Sequence, residues 1–209
     1  VLDDLPESGG HWWRSVLVTD DYIYTSIGDS SNATDQRDTD RQKLWRFNRD
    51  GSGKALFASG IRNNEKLGLR PGTDEIWGFD HGSDWFGQEV GDENGNQPIT
   101  DLNPPGELNH YQEGNFYGHP FIVGARIPRY EFLERDDIHE LAAATTPPEW
   151  HMGAHWACNG WTFIDPEINA KTGAFPAAPG RDLVVASHGP WNSPPRAGPR
   201  VPRIMFAQD

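Results

Sequence analysis

One cassette occurs three times in this sequence, as Asp21-Tyr-Ile-Tyr-Thr-Ser-Ile-Gly28, Glu75-Ile-Trp-Gly-Phe-Asp-His81-Gly82 and Asp182-Leu-Val-Val-Ala-Ser-His188-Gly189. Each copy has an acidic residue, then an apolar or alternating run, and a glycine seven positions on. The pattern predicts a short strand that runs into a tight turn, where glycine permits a positive φ or a close backbone approach. Repeated strands that carry polar groups to equivalent ends indicate a radial or stacked array with a shared site.

The spacing of the copies indicates blades of a β-propeller. Glu75 follows Asp21 by 54 residues, and Asp182 follows Glu75 by 107. A four-stranded blade takes about 40–50 residues in known propeller repeats, so the first interval fits one blade with a loop. The second interval holds either a degenerate blade or one blade with a long insertion. We favour the insertion, because residues 89–105 and 127–154 have the composition of loops.

The predicted strands fall into three groups. Four consecutive strands, separated by turn signals such as Asn48-Arg-Asp-Gly-Ser-Gly53, make a first antiparallel meander. Three strands begin a second blade and three outline a third, and a short helix is predicted at residues 136–144. The predicted strands are residues 16–18, 22–26, 43–47 and 55–58, then 66–69, 76–79 and 107–111, then 161–164, 183–187 and 201–206.

Composition and charge narrow the classes of function. The chain has 209 residues, with 18 Lys and Arg against 31 Asp and Glu and a formal net charge of −13. That charge argues against partners such as nucleic acid or an anionic membrane surface. No apolar run approaches the roughly 20 residues of a membrane helix. The 23 Gly and 17 Pro favour the many turns of an all-β fold, and the 9 Trp suit both a β core and sugar-stacking faces.

Three further features concern the compartment and the ends of the chain. Cys158 is the only cysteine, so no internal disulfide can form. The triplet Asn32-Ala33-Thr34 is an N-glycosylation sequon in a polar loop that we expect to be exposed. The sequence has no initiating methionine and no signal peptide, and we expect both of its ends to be cut from a longer protein.

Further motifs lie at predicted strand ends and blade openings. They supply His, Arg and Asn side chains, which can accept a proton or stabilise developing negative charge. The motifs are Gly9-Gly-His11-Trp-Trp-Arg14-Ser15, Ser59-Gly-Ile-Arg62-Asn63-Asn64, Phe79-Asp80-His81-Gly82-Ser83-Asp84, Pro105-Gly-Glu107-Leu-Asn109, Gly114-Asn-Phe-Tyr117-Gly118-His-Pro120 and Ser187-His188-Gly189-Pro190-Trp191-Asn192.

In this order and spacing the motifs resemble the soluble quinoprotein sugar dehydrogenases that use pyrroloquinoline quinone (PQQ), over residues 6–206. The nearest branches resemble the sorbosone-type and the fungal pyranose dehydrogenases. The resemblance implies an all-β, six-bladed β-propeller, with PQQ at the mouth of the central channel over a Ca²⁺ ion. It also implies a pyranose or related sugar as substrate, a cytochrome or artificial electron acceptor, and a secreted protein, periplasmic if the source is bacterial.

By resemblance, three residues surround the reacting groups. His11 matches the catalytic base, and Arg62 and Asn63 match the pair that lies over the quinone carbonyls. Oxidising a sugar hydroxyl removes a proton from oxygen and a hydride from carbon. An imidazole can accept the proton near neutral pH, and a guanidinium stabilises the negative charge that develops on the quinone oxygen.

The remaining predicted site residues concern the cofactor and the metal. By resemblance, Gly82 and Ser83 match the positions whose backbone carbonyls hold Ca²⁺, an ion that prefers oxygen ligands. Asp84 is either a further Ca²⁺ ligand or an ordinary Asx-turn residue. The side chains that can contact PQQ or hold its carboxylates are Arg14, His81, His188 and Arg200.

The sequence departs from the family in two respects. It holds about three blades rather than six, and because a propeller needs ring closure to protect its strand edges, we expect the remaining blades to come from elsewhere. Position 10 is Gly where some bacterial relatives have Asp before the base. This leaves the orienting partner of His11 unidentified.

Two functions from other classes stay open. A Ca²⁺-dependent, lactonase-like hydrolase would use a metal and a His, and a non-catalytic carbohydrate-binding propeller would use a Trp-rich mouth. The sequence makes one structural prediction that bears on all of these functions. If the repeated cassettes are equivalent strands, His11, Arg62, His81 and His188 should converge on one mouth.

Overall fold

The computed structural model describes residues 5–7, 9–11, 13–86, 99–175, 182–190 and 199–207. Antiparallel β-sheets dominate this part of the chain, which confirms the predicted all-β class. A 3₁₀ turn covers Tyr130–Phe132. The strands are β1 (Val16–Val18), β2 (Tyr22–Ile27), β3 (Lys43–Asn48), β4 (Ala55–Ser59), β5 (Asn64–Leu69), β6 (Ile76–Asp80), β7 (Gly106–Tyr111), β8 (Ile122–Val123), β9 (Ile127–Pro128), β10 (Trp150–Met152), β11 (Cys158–Phe163), β12 (Leu183–Ser187) and β13 (Arg203–Ile204), and the helices are α1 (Ile99–Leu102), α2 (Ile138–Ala144) and α3 (Pro166–Thr172).

The first sheet is the predicted meander, with strand order β1-β2-β3-β4. Strand β2 pairs with β3 along its whole length, from Tyr22 opposite Asn48 to Ile27 opposite Lys43. The turn between β3 and β4 is closed by Gly51, whose N–H donates to the Asn48 carbonyl at 2.9 Å and whose φ is +87°. A positive φ is accessible to glycine without steric cost, which is why this turn signal could be identified from the sequence.

The second sheet has the order β10-β7-β6-β5, and its outer strand comes from a region predicted to be a loop. In β10, Trp150 lies opposite Leu108 of β7. The prediction of a loop over residues 127–154 is therefore wrong for β10, and it is also wrong for β9, which forms a hairpin with β8. The segment between β7 and β10 holds that hairpin and helix α2, so it is the predicted insertion.

The third sheet has the order β11-β12-β13 within the described residues. Its last strand is shorter than predicted. We expected a strand over residues 201–206, but only Arg203 and Ile204 pair with β12. The backbone N–H of Phe206 instead donates to the Asp182 carboxylate at 3.1 Å, so the strand ends before it.

Strand β6 is buried on both faces because it lies between two apolar cores. Ile76 packs in a core that includes Tyr24 of the first sheet. Trp77 and Phe79 pack in a second core, which includes Val185 of the third sheet. Side chains alternate between the two faces of a strand, so β6 joins three sheets that are stacked face to face.

The three cassettes occupy equivalent places in this stack. They form β2, β6 and β12, which are the second strands of their sheets in chain order. The polar groups that follow each strand can therefore meet at one edge of the stack. The described residues contain no helix with the length and apolar content that a bilayer span requires.

Candidate active site

One cavity of about 330 Å³ brings together most of the predicted site residues. The first two sheets contribute His11, the opening of β5 and the turn after β6. The third sheet contributes the turns before β11 and after β12. The predicted site residues that line the cavity are His11, Arg62, Asn63, His81, Gly82, Asp84 and His188. The four residues expected at one mouth therefore share it.

Three predicted site residues lie outside the lining of this cavity. Arg14 donates to the carbonyl of Pro6. Ser83 lines a smaller neighbouring cavity. Arg200 stacks on Trp156, with its guanidinium carbon 4.2 Å from the ring centroid, and Trp156 lines the main cavity. Arg200 thus flanks the site. The motif residues 191 and 192 lie outside the described residues.

His11 is oriented by a backbone carbonyl, a partner that the sequence could not identify. Its Nδ1 donates to the carbonyl oxygen of Asp29 at 2.9 Å, and its backbone N–H donates to the same oxygen at 3.0 Å. With the proton on Nδ1, the Nε2 lone pair is the basic position. Burial, and then the positive charge of Arg62, lower the pKa of His11 to about 4. The imidazole is therefore neutral at pH 7 and can accept a proton.

Asp29 is fully buried, and hydrogen-bond donors surround its carboxylate. It accepts from Nε2 of His119 at 2.7 Å, from Nε2 of Gln42 at 2.9 Å, and from the backbone N–H groups of Ser31 and Thr34 at 2.7 and 3.0 Å. Burial alone would raise the pKa of this carboxyl, but these donors lower it below its ordinary value. Asp29 therefore stays ionised and holds the loop that carries the carbonyl bound to His11.

Gly28, the last residue of the first cassette, lets the backbones at His11 and Arg62 come close together. A Cβ at Gly28 would lie 2.5 Å from the Arg62 carbonyl oxygen and 2.8 Å from the His11 Cβ. The backbone N–H of Asp29 donates to the same Arg62 carbonyl at 2.8 Å. The predicted close approach at this glycine therefore joins the two residues to which the sequence assigns catalytic roles.

The Arg62 guanidinium is buried and is held by neutral oxygens. Nε donates to the Asn32 carbonyl and Nη2 to the Asn32 side-chain Oδ1, both at 2.8 Å. Nη1 donates to the carbonyls of Gly82 at 2.9 Å and His81 at 3.3 Å. Asn32 is half-buried, so the expectation of an exposed sequon is wrong at this residue. The N-glycosylation prediction rested on that exposure.

Asp80, at the end of β6, fixes the backbone of the Arg62-Asn63 pair. Its two carboxylate oxygens accept from the N–H of Arg62 at 2.8 Å and the N–H of Asn63 at 2.6 Å. Burial raises the pKa of Asp80 to about 6. The Asn63 amide also donates to Nδ1 of His81 at 3.3 Å. Asp80 lies within one of the sequence motifs, but the motif alone predicts no role for it.

A strained segment before the third sheet closes the cavity, and no sequence motif predicts it. His155 and Ala157 have positive φ values of 60° and 47°, and Trp156 between them lines the cavity. Such conformations are uncommon for residues other than glycine, and they cluster at functional sites. The backbone N–H of His188, whose side chain is exposed, donates to the Ala157 carbonyl at 2.9 Å.

Two of the predicted Ca²⁺ ligands, Gly82 and Ser83, already accept hydrogen bonds from arginine side chains in this arrangement. The Gly82 carbonyl already accepts from the Arg62 guanidinium. The Ser83 hydroxyl accepts from Arg129 at 2.6 Å, and Asp84 provides the one carboxylate that lines the cavity among the three predicted ligands. Calcium takes six to eight oxygen ligands. Among the described residues, no three His, Cys, Asp or Glu side chains come together as a metal site.

Comparison with known proteins shows the fold. No protein-family model matches the chain. The calcium structure of a Trichoderma reesei enzyme of carbohydrate-active enzyme family AA12 superimposes with a TM-score of 0.75 at 15% identity, over 96% of this chain and 55% of that one. The holo form of the pyranose dehydrogenase PQQ domain from Coprinopsis cinerea gives 0.73 at 16% identity, over 95% of this chain and 54% of that one.

A sequence relative gives less information. An uncharacterized protein from Borreliella burgdorferi is 26% identical in an alignment of 157 positions, which covers 70% of this chain and 33% of that protein. This chain spans about half the length of the two solved structures. Within the described residues, it has the fold of about half of a PQQ domain of the pyranose dehydrogenase kind.

Proposed function

We propose that this chain forms about half of a PQQ-dependent dehydrogenase that oxidises a pyranose or a related sugar. One observation carries the proposal. His11, Arg62, His81 and His188 come from separate parts of the sequence and line one cavity. The fold that holds them matches about half of the pyranose dehydrogenase PQQ domain from Coprinopsis cinerea.

The donors around the cavity fit an anionic, aromatic quinone. Four of the five N–H groups of Arg62 bind protein oxygens, and the fifth, on Nη2, has no partner among the described residues. Arg62 forms no salt bridge within the described part of the chain, although the carboxylates of Asp84 and Asp80 lie near enough to act on its charge. Trp156, stacked with Arg200, adds an aromatic surface to the cavity wall. When bound, PQQ would supply the carbonyl carbon that accepts hydride.

His11 would take the proton from the sugar hydroxyl. Its Nε2 is the basic atom, because Nδ1 donates to the Asp29 carbonyl. The lowered pKa keeps the imidazole in its neutral form at pH 7, which is the form that can accept a proton. Proton acceptance at Nε2 would convert His11 to an imidazolium, and its Nδ1–H bond to Asp29 would hold the ring in place during that change.

Arg62 would stabilise negative charge as it develops. A guanidinium in a buried site is held before the reaction begins, so little reorganisation is needed when charge appears. Asp80 fixes its backbone position, and the neutral oxygens of Asn32 and Gly82 fix its side chain. A Ca²⁺ ion bound at Gly82 would share a carbonyl with this guanidinium. We therefore assign no step to calcium.

We infer three further properties from the same resemblance. The sheets described here would be completed by further blades into a six-bladed ring, in agreement with a chain that spans about half of its structural relatives. A cytochrome or an artificial dye would accept the electrons. The protein would be secreted, or periplasmic if its source is bacterial.

A binding and turnover assay on the purified protein tests the proposal. PQQ is added to the protein, the bound quinone is followed by its absorption, and a panel of sugars is offered with a dye as electron acceptor. We expect PQQ-dependent dye reduction with at least one pyranose. The matched control is His11→Ala, which should keep PQQ binding.

Two outcomes would overturn the proposal. Hydrolysis of a sugar lactone that requires Ca²⁺ but not PQQ would identify a lactonase-like hydrolase. Sugar binding without turnover, in protein that does not bind PQQ, would identify a carbohydrate-binding module.

A further inference from the structure

We propose that Asn32 is a positioning residue, which holds the Arg62 guanidinium at the mouth of the cavity with neutral oxygens and adds no negative charge beside it. The inference rests on the proposed function only for the role of Arg62 in PQQ binding. The contacts between the two residues are properties of the structure itself.

Two oxygens of Asn32 accept hydrogen bonds from one edge of the Arg62 guanidinium. The backbone carbonyl accepts from Nε, and the side-chain Oδ1 accepts from Nη2, both at 2.8 Å. Nε and Nη2 form one edge of the planar guanidinium, so the two bonds fix both the position and the plane of the group. With the bond from Nη1 to the Gly82 carbonyl at 2.9 Å, all three nitrogens of Arg62 are held.

The choice of an amide at this position has an electrostatic consequence. Arginine forks in proteins commonly bind carboxylates, which hold the geometry and also offset the charge. Asn32 accepts the same two hydrogen bonds with neutral oxygens. Arg62 as a whole residue is 5% exposed, so water offsets little of its charge. The nearby carboxylates of Asp84 and Asp80 act on this charge, but neither forms a salt bridge with Arg62, and Asn32 adds no further negative charge.

Asn32 also couples the elements that meet at the cavity. Its Oδ1 accepts a second bond, from the backbone N–H of Asp84 in the turn after β6, at 2.9 Å. The neighbouring Ser31 donates its N–H to the Asp29 carboxylate, and the Asp29 carbonyl holds His11. One loop therefore anchors both His11 and Arg62. This is why the sequon residue is half-buried.

Three variants separate geometry from charge. Asn32→Ala removes the hydrogen bond between the Asn32 side chain and Nη2 of Arg62. Asn32→Asp keeps an oxygen for both bonds but adds a negative charge. The matched control is Asn169→Ala, because the Asn169 side chain also bonds backbone groups, at Phe175, but it lies on α3 away from the cavity.

We expect PQQ affinity, measured by equilibrium titration, to fall about 10–100-fold in both Asn32 variants, the range typical of residues that orient a ligand-binding group. We expect Asn32→Asp to keep the wild-type melting temperature, because its oxygens still hold Arg62. Asn169→Ala should keep wild-type PQQ affinity. Unchanged PQQ affinity in Asn32→Asp would overturn the claim that a neutral oxygen is needed at this position.

A second readout does not depend on PQQ. NMR titration of the cofactor-free protein should give a higher His11 pKa in Asn32→Asp than in the wild type, because the new charge offsets the positive charge of Arg62. If His11 titrates identically in Asn32→Asp, in Asn169→Ala and in the wild type, the positioning role is refuted. If the wild type does not bind PQQ but the His11 pKa still rises in Asn32→Asp, the proposed function fails and the role of Asn32 stands.

Discussion

The substitution Gly28→Ala tests whether the site depends on the close approach of two backbone segments. The added Cβ would lie 2.5 Å from the Arg62 carbonyl oxygen and 2.8 Å from the His11 Cβ. Both distances are far below normal contact, and neither neighbour is the end of a flexible side chain. The segments must therefore separate by several tenths of an ångström or more.

Gly28→Ala is expected to lower both the stability of the protein and its rate of turnover. Overpacking of this kind destabilises a protein by about 1–3 kcal/mol. Separation of His11 from Arg62 also disturbs the reacting geometry, where a misplacement of about 1 Å can cost about 100-fold in rate. We therefore expect Gly28→Ala to lose about 1–3 kcal/mol in free energy of unfolding and at least about tenfold in PQQ-dependent sugar oxidation.

Gly160→Ala is the matched control, because a Cβ there would meet only the Ala186 Cβ, at an ordinary 3.6 Å. Both changes restrict the unfolded chain in the same way, so the difference between them isolates the clash. Urea unfolding and dye-linked turnover are measured on both variants and on the wild type. Equal stability and turnover in Gly28→Ala and Gly160→Ala would refute the reasoning.

Three further predictions concern single groups. His11→Ala should lower turnover by about 10²–10⁴-fold while PQQ binding stays near wild type. The kcat/KM of the wild type should fall as the pH drops toward 4, because His11 becomes protonated there. Unchanged turnover in His11→Ala would contradict the role of His11 as a base. Burial raises the pKa of Glu107 to about 8, so the folded state binds this proton more tightly than the unfolded state. Glu107 should therefore contribute a slope of about −1.4 kcal/mol per pH unit to the free energy of unfolding as the pH rises from about 5 to 8. Glu107→Gln should remove this slope in urea unfolding with a chelator present, whereas parallel pH curves for the two proteins would contradict it. The sequence predicts that a chelator, by removing Ca²⁺, lowers both activity and melting temperature, because a ligand bound only by the native state stabilises it. If the chelator has no effect, Arg62 and not Ca²⁺ is the cation at the Gly82 carbonyl.

The parts of the fold that could be predicted are those with local signals. Strand β12 lies at its predicted bounds, and β2 and β6 each extend one residue beyond theirs, because a β run followed by a glycine turn is a short-range pattern. Helix α3 was missed although its signals were present. The Asp165 carboxylate caps its first N–H groups, Pro166 begins it, and Gly173 ends it with φ +61°.

Other elements carried no local signal. Strand β10 has only three residues, Trp150-His151-Met152, too few for their alternation to be a signal, and it follows two consecutive prolines, so the local sequence favours a loop. It becomes a strand because Trp150 pairs with Leu108, more than forty residues earlier in the chain. Tertiary pairing of this kind overrides local propensity.

The site residues also divide into those that the sequence identifies and those that it does not. His11 and Arg62 could be identified because they lie in motifs that resemble a known family. The groups that hold them could not be identified, because their contacts join distant segments. His119 binds the Asp29 carboxylate across 90 positions of sequence, and Arg62 binds Asn32 across 30. A single sequence does not reveal which residues meet at such separations.

The most direct test of the central claim follows the reduction of protein-bound PQQ by sugar in the absence of any other electron acceptor. The wild type and His11→Ala are each loaded with PQQ, a pyranose is added anaerobically, and the absorption of the oxidised quinone is followed. We predict that both proteins bind PQQ with similar affinity, and that the oxidised-quinone absorption is lost at least about 100-fold more slowly in His11→Ala. Failure of the wild type to bind PQQ, or equal rates in the two proteins, would contradict the account.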